Sequence, residues 1–147
     1  LFPDNFVARE IGVSTDRLRR MGWFDAVLAR WSVALNSISA LCLTKLDILD
    51  QLKTIKICTG YKIGGRLYQR PPVKLKDWEA IEPVYEELPG WQTSTTNIKH
   101  FKDLPPLAQQ YVEKIQLLCE CPVAMVSVGP ERRQTFRLNC KGPFDEC

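Results

Sequence analysis

Histidine is almost missing from this chain of 147 residues, where His100 is the single example. One imidazole excludes a metal site built from several histidines and leaves a Ser/His/Asp or Cys/His catalytic apparatus without partners, so we expect His100 at the surface or in a loop.

Strong charge of one sign is also missing. The net charge of +3 argues against nucleic acid or an anionic membrane as a partner. An RNA-binding domain that uses Arg17, Arg19 and Arg20 is the weaker alternative, since a clustered aromatic platform is missing.

Long apolar runs are missing as well. No stretch approaches the length of a membrane span and no basic-then-apolar signal segment opens the chain, so a soluble protein is expected. The chain begins with Leu1 and not with Met, which indicates processing or, as we prefer, a cut from something longer. Hydrophobic residues make up 45%, enough for the core of one domain or of a piece of a larger one.

Cysteine is present but follows no framework. The six cysteines form neither a paired C-x-x-C metal pattern nor a regular disulfide arrangement, and they stand at positions 42, 58, 119, 121, 140 and 147. Cys42 and Cys58 lie inside apolar runs, and Cys119 and Cys121 are too close for a zinc pair with no histidine nearby. We therefore expect small buried thiols in a reducing compartment, which suits the cytoplasm.

Helix and strand patterns alternate along the chain. Apolar residues in 23–38 recur at spacings of three and four, which predicts an amphipathic helix that leads into a buried strand at 41–43. Loop-helix-strand units of this kind are typical of an α/β sheet. The remaining patterns predict a strand at 55–63, a Gly64-Gly65 hairpin into 66–69, a helix at 74–81 with Trp78 as its buried anchor, a strand at 83–87, a loop at 93–102, a helix at 104–119, a strand from 123 and an antiparallel edge at 134–138.

The strand at 41–43 stops at Lys45 and Asp47, and ligands bind at the carboxyl ends of strands in open α/β sheets. One carboxylate can accept two parallel hydrogen bonds from the ring N–H and the exocyclic amine of guanine, whereas adenine lacks that donor pair. The Lys45 stem can lie along the base while its ammonium stays in water. The alternative is an exposed strand end that merely carries charges.

Two further segments suit a nucleotide. Residues 13–20 place three arginines just after hydroxyl residues, and this pattern is typical either of a phosphate or carboxylate site or of a solvated basic turn. The apolar strand from 123 ends in Ser127-Val128-Gly129-Pro130, whose small groups let a flat ring approach the backbone closely. Together with the end at Lys45 and Asp47, this turn could bracket a base from its face and its edge.

Four long motifs stand in order along the chain: Ser14-Thr15-Asp16-Arg17-Leu18-Arg19-Arg20-Met21-Gly22-Trp23-Phe24-Asp25, Leu43-Thr44-Lys45-Leu46-Asp47-Ile48-Leu49-Asp50, Glu82-Pro83-Val84-Tyr85-Glu86-Glu87-Leu88-Pro89-Gly90-Trp91 and Ser127-Val128-Gly129-Pro130-Glu131-Arg132. In these motifs residues 12–138 resemble the C-terminal part of the adenylosuccinate synthetase family, with 1–11 poorly matched. The resemblance implies an α/β fold in which 1–147 is a single partial domain. That domain would be the C-terminal portion of a large, mostly parallel P-loop-like sheet flanked by helices, with an antiparallel hairpin excursion.

The same resemblance implies an activity. The family joins L-aspartate to IMP with GTP as co-substrate and forms adenylosuccinate in purine biosynthesis: GTP phosphorylates the 6-oxygen of inosinate, and the aspartate amine displaces that phosphate. Mg²⁺ is required. The implied partners are GTP, IMP, L-aspartate and a second copy of the chain in a cytoplasmic homodimer.

The resemblance also implies site residues. The aspartate and IMP loop would comprise Val13, Ser14, Thr15, Asp16, Arg17, Leu18 and Arg19, with Arg17 also reaching IMP. The GTP-binding residues would be Arg19, Lys45, Leu46, Asp47, Ser127, Val128 and Gly129. The family's glycine-rich phosphate loop, catalytic residues and metal ligands have no counterpart here, so we expect the isolated chain to be inactive. The alternative is a non-catalytic remnant that binds a guanine nucleotide or a partner.

One residue of the basic loop departs from the family. The family reads threonine-threonine-glycine-arginine where this chain has Ser14-Thr15-Asp16-Arg17. A second carboxylate about 4 Å from a dicarboxylate substrate costs roughly 1 kcal/mol in water and about 4 kcal/mol at an effective dielectric constant near 20. We therefore expect Asp16 to weaken aspartate binding and its replacement by glycine to tighten it.

Overall fold

The computed structural model describes residues 11–12, 14–19 and 21–138. Within these residues the chain forms seven strands and three α-helices. The strands are β1 (Phe24–Asp25), β2 (Leu41–Leu43), β3 (Thr54–Ile63), β4 (Arg66–Tyr68), β5 (Glu82–Pro89), β6 (Val123–Ser127) and β7 (Thr135–Arg137). The helices are α1 (Ala26–Asn36), α2 (Leu75–Glu79) and α3 (Pro106–Cys119). Three short 3-10 helices, Leu46–Leu49, Phe101–Asp103 and Arg132–Gln134, connect them.

The strands form two small mixed sheets. In the first, β3 pairs in parallel with β1 and antiparallel with both β4 and β5. In the second, β6 lies between β2, which is parallel to it, and β7, which is antiparallel. The expected α/β class is confirmed. The expected large, mostly parallel P-loop-like sheet is not confirmed, because β3 also pairs antiparallel with β5 and β6 pairs antiparallel with β7. The β3–β4 hairpin at Gly64-Gly65 agrees with the expected antiparallel excursion.

Helix α3 supplies much of a core cluster to which both sheets contribute. Its buried residues recur at spacings of three and four, so one face of the helix is apolar: Ala108, Tyr111, Val112, Ile115 and Cys119. They belong to the same core cluster as Val123 and Val126 of β6. The helix predicted at 104–119 is confirmed, with its first turn at Pro106, where the missing backbone N–H of proline costs nothing.

The predicted burial of cysteines is partly wrong. Cys58, Cys119 and Cys121 are buried, as expected, but Cys42 is exposed. Strand β2 is an edge strand, and side chains alternate between its two faces, so the residue between Leu41 and Leu43 points away from the core. The other two cysteines, at positions 140 and 147, lie outside the described residues.

Helix α2 is shorter and less buried than predicted. Trp78 is 41% exposed and is not a buried anchor, since no residue of α2 is buried. Its indole tilts against the Tyr61 ring, with the ring centroids 6.4 Å apart. His100 is exposed, as expected, within a segment that is loop up to the 3-10 helix Phe101–Asp103. Among the described helices, none has both the length and the apolar character needed to cross a membrane.

Candidate functional site

The carboxyl ends of β2 and β6 lie side by side. Leu43 pairs with Val126 in parallel register, so the residues that follow each strand leave the sheet at the same edge. On one side these residues are Lys45 and Asp47, and on the other they are Ser127 to Gly129. The structure therefore brings together the two segments that the sequence predicted to bracket a base.

Lys45 has an unusual backbone conformation. Its φ of 62° and ψ of 39° lie in the left-handed region, and its N-cap position opens the 3-10 helix Leu46–Leu49. For a residue with a Cβ, this conformation costs about 1–2 kcal/mol, and such strain is concentrated at functional sites. Leu46, which the resemblance assigned to GTP, is buried with 1% exposure, and its side chain belongs to the core.

Asp47 carries an unsatisfied carboxylate oxygen. Oδ1 is buried and, within the described part of the chain, accepts no hydrogen bond. Burial raises the pKa of the Asp47 carboxyl above its ordinary value of 3.8, and Asp50 raises it further, while a backbone hydrogen bond and Lys45 oppose the shift. Native proteins seldom leave a buried acceptor unpaired, so this oxygen is suited to donors that a ligand would bring.

Asp50, three residues on, holds a loop against the same short helix. Its carboxylate accepts hydrogen bonds from Trp91 Nε1 at 2.7 Å, from the Thr95 backbone N–H at 2.7 Å and from Thr95 Oγ1 at 3.0 Å. Thr95 is fully buried. Asp50 therefore secures residues 91–95 beside Asp47.

This loop forms one wall of a cleft at Asp47. The cleft has a volume of about 570 Å³ and is lined by Asp47, Ile48 and, across from them, by Gln92, Ser94 and Thr96. The loop was predicted only as a polar connection, with no part in a site. The one signal in the sequence is the run of hydroxyl residues from 93 to 96, which has no apolar periodicity.

The turn after β6 is compact and internally bonded. Ser127 Oγ donates a hydrogen bond to the Gly129 carbonyl oxygen at 2.8 Å, and the Val128 N–H donates to the Gln134 carbonyl oxygen at 2.9 Å. Val128 is fully buried, and its side chain belongs to the core. A Cβ on Gly129 would overlap the side-chain amide of Gln134, so a larger residue here would displace that side chain.

The basic loop forms a small closed turn. Ile11 and Leu18 form an antiparallel bridge, and Gly12 bonds the backbone of both Arg17 and Asp16, at 3.0 and 2.9 Å. Residues 14–19 are exposed, and none of them lines the cleft at Asp47. Val13 lies outside the described residues. Asp16 has a φ of 47°, a left-handed conformation that favours the glycine of the family.

These features define a mixed α/β protein with a polar cleft between the short helix that follows β2 and the loop at residues 92–96. The chain belongs to the adenylosuccinate synthetase family, whose model matches residues 5–136. The adenylosuccinate synthetase of Trichlorobacter lovleyi is 46% identical over 95% of this chain and 32% of its own length, and that of Nitrosomonas eutropha is 52% identical over 86% and 30%. A structure of fully ligated adenylosuccinate synthetase from Plasmodium falciparum superposes with a TM-score of 0.84 at 34% identity over 88% of this chain and 31% of that one.

The chain therefore spans about a third of the length of these relatives. The comparisons contradict the expected place of the match: they assign it to the N-terminal region of the relatives and not to their C-terminal part. The predicted C-terminal placement is therefore not retained. It rests on the order of four motifs, and motif order within a chain does not state how much sequence lies on either side.

Proposed function

We propose that the segment serves a GTP-dependent ligase that joins L-aspartate to IMP, and that within it this chain carries guanine recognition and the aspartate and IMP loop. The observation that supports this best is the unpaired Oδ1 of Asp47, buried beside the end of β2 where β2 and β6 run in parallel. The relatives that share the family are named adenylosuccinate synthetases at 46% and 52% identity.

Guanine fits the donor and acceptor arrangement at the cleft. The two oxygens of the Asp47 carboxylate would accept the ring N–H and the 2-amine, which satisfies the oxygen that has no partner in the described residues. Lys45 would lay its methylenes along the base. Ser127 and Gly129 would offer backbone groups from the neighbouring strand end, whereas the side chains of Leu46 and Val128 face the core.

The exposed loop from 14 to 19 would hold the anionic substrates. Arg17 and Arg19 present planar forks that grip a carboxylate or a phosphate in two places. Arg17 would reach both aspartate and IMP, and Arg19 would also approach GTP. Asp16 would oppose the aspartate carboxylates, which makes it the one residue of the loop that works against binding.

The complete ligase needs more than these residues. Among the described residues no group of three or more His, Cys, Asp or Glu side chains could hold a metal ion, so we assign Mg²⁺ to none of them and route no step through it. The segment also covers only about a third of its relatives. We therefore propose that the isolated chain is inactive, and a coupled assay in which it forms adenylosuccinate from GTP, IMP and aspartate would overturn this. The homodimer and the cytoplasmic location stay predictions.

The test of the base assignment is Asp47→Asn in the full-length protein. Asparagine offers one acceptor and one donor, which suits xanthine, with its 2-oxygen, better than guanine. We expect the ratio of kcat/KM for GTP to that for xanthosine triphosphate to fall by about 10- to 100-fold, the range of one or two lost hydrogen bonds to a charged group. The matched control is Asp103→Asn, an exposed carboxylate outside the cleft. An unchanged ratio in Asp47→Asn would reject guanine recognition at this residue, and guanine-nucleotide binding without any turnover in the full-length protein would favour the non-catalytic alternative.

A further inference from the structure

Gln134 connects the turn after β6 to the loop that lines the cleft. Its side-chain oxygen accepts a hydrogen bond from the Glu131 N–H at 3.0 Å, and its side-chain nitrogen donates to the Thr96 carbonyl oxygen at 3.3 Å. Its backbone oxygen accepts from the Val128 N–H at 2.9 Å. A single residue thus contacts both the turn after β6 and the loop that faces Asp47.

The opposite end of that loop is fixed by Asp50. Asp50 belongs to the turn that carries Asp47, since its N–H bonds the Asp47 carbonyl oxygen at 3.1 Å, and its carboxylate holds Thr95. A continuous series of contacts therefore runs from Asp47 through Asp50, residues 95–96 and Gln134 to Val128. This series is a second connection between Asp47 and the turn after β6, in addition to the direct pairing of β2 with β6.

We infer that Gln134 is a positioning residue for base selectivity, which keeps the Ser127–Gly129 turn at a set distance from Asp47 through its bond to Thr96. The inference rests on the proposed function and names a residue that would not itself touch the nucleotide. Its physical basis is the steep dependence of hydrogen bonds on distance and angle. A base held against a shifted turn cannot align both of its donors with the Asp47 carboxylate.

If Gln134 only capped the 3-10 helix Arg132–Gln134, a different result would be expected. Gln134 and Glu131 form a reciprocal capping box around the 3-10 helix Arg132–Gln134, in which each side chain bonds the other residue's backbone N–H. If capping were the whole role, removing either partner would lower stability to a similar extent and leave base selectivity unchanged. Glu131→Ala removes half of the box but leaves the bond from Gln134 to Thr96 in place.

The experiment compares Gln134→Met with Glu131→Ala in the full-length protein. Methionine keeps a similar volume and removes both side-chain hydrogen bonds. For Gln134→Met we expect KM for GTP to rise about fivefold and the preference for GTP over inosine triphosphate to fall by a similar factor, with kcat changed less, since about one net hydrogen bond of alignment is lost. For Glu131→Ala we expect a lower Tm with the preference unchanged.

A distant control separates general destabilisation from positioning. Gln109, on α3, donates hydrogen bonds to the carbonyl oxygens of Leu104 at 2.7 Å and Lys102 at 3.3 Å and does not line the cleft. Gln109→Met should lower Tm about as much as Gln134→Met while leaving the base preference intact. Equal preferences in Gln134→Met, Glu131→Ala and the parent would overturn the inference. If Asp47→Asn lowers the preference for GTP over xanthosine triphosphate but Gln134→Met leaves the preference for GTP over inosine triphosphate unchanged, only the inference about Gln134 fails. If neither variant changes its preference, the proposed guanine recognition fails as well.

Discussion

Leu43 lies opposite Val126 in a parallel pair of strands, although Leu41 lies opposite Val123. One extra residue in β6 between these pairs shifts the register and increases the local bend. If the shifted register is continued past the strands, Lys45 comes level with Val128. The extra residue in β6 therefore decides which residue of the turn after β6 lies next to Lys45.

The raised pKa of Asp47 leads to a pH prediction. Because burial favours the neutral acid in the folded state, folding stability falls as pH rises from the ordinary value of 3.8 through the raised pKa, and the penalty is complete above it. Asp47→Asn removes this penalty, so Tm of the variant should exceed that of the parent at neutral pH and the gain should shrink as pH falls.

Nucleotide affinity should follow the opposite course, because only the ionised Asp47 accepts two hydrogen bonds. KM for GTP in the parent should rise as pH falls through the raised pKa, and this rise should be missing in Asp47→Asn. Thermal unfolding tests the stability prediction and initial rates test the prediction for KM, each measured from acidic to neutral pH. A Tm for Asp47→Asn below that of the parent at neutral pH would contradict the burial argument.

Lys45→Gly should separate stability from binding. Glycine adopts the left-handed conformation of this position without strain, but it has more freedom in the unfolded chain, so we expect a net gain of up to about 1 kcal/mol in unfolding free energy. KM for GTP should nevertheless rise, because the stem that packs on the base is lost. The control is Lys99→Gly, at an exposed loop position without positive φ, which should lose about 0.5–1 kcal/mol. Equal stability changes in the two variants would show that Lys45 is not strained.

Asp16 can be tested by a pair of substitutions. Asp16→Asn removes the charge and keeps a residue that tolerates the left-handed conformation, whereas Asp16→Gly removes both charge and strain. If the like-charge repulsion is about 1 kcal/mol or more, both variants should lower KM for aspartate about fivefold or more. Only Asp16→Gly should gain stability in chemical denaturation. A KM for aspartate that is equal in the parent and both variants would remove this residue from the aspartate site.

Tyr61, which is buried, and Asp25, which is partly buried, form a pair that supports the start of α1. The Tyr61 hydroxyl donates to Asp25 Oδ2 at 2.5 Å, while Asp25 Oδ1 accepts the Leu28 N–H at 3.0 Å as the N-cap of the helix. Burial, together with the bond to Asp25, raises the pKa of the Tyr61 hydroxyl strongly. Tyr61→Phe should therefore cost about 1.5–3 kcal/mol of unfolding free energy, the range for hydrogen bonds to charged groups. The control Tyr68→Phe, at a 41% exposed side chain, should cost under about 0.5 kcal/mol.

Much of the secondary structure was predictable because its signals are local. The apolar periodicity of α3 and of 23–38, the Gly64-Gly65 hairpin and the β-branched run of β3 all predicted elements that the structure contains. Errors arose where packing decides. Trp78 is of a residue type common in cores, but no residue of α2 is buried, and Cys42 lies on the outer face of an edge strand. Neither fact is encoded within a few residues of sequence.

The residues of the candidate site were also only partly predictable from the sequence. Lys45, Asp47 and the turn at Ser127 could be nominated from the sequence because charge and small residues follow directly after apolar strands. The loop at residues 91–96 and Gln134 could not, because polar loop residues have no periodicity, and their role depends on bonds to Asp50 and Thr96 made over 38 residues or more of separation.

The sequence by itself determined the family, the order of helices and strands, and the chemical character of each strand end, since composition and periodicity act over short distances along the chain. Only the tertiary structure decided that β2 and β6 are parallel neighbours, that Asp47 Oδ1 is buried without a partner in the described residues, and that Gln134 bonds both the turn after β6 and the loop that lines the cleft. The physical reason is that burial and hydrogen-bond satisfaction depend on which distant segments meet, and this is set by the packing of the whole core.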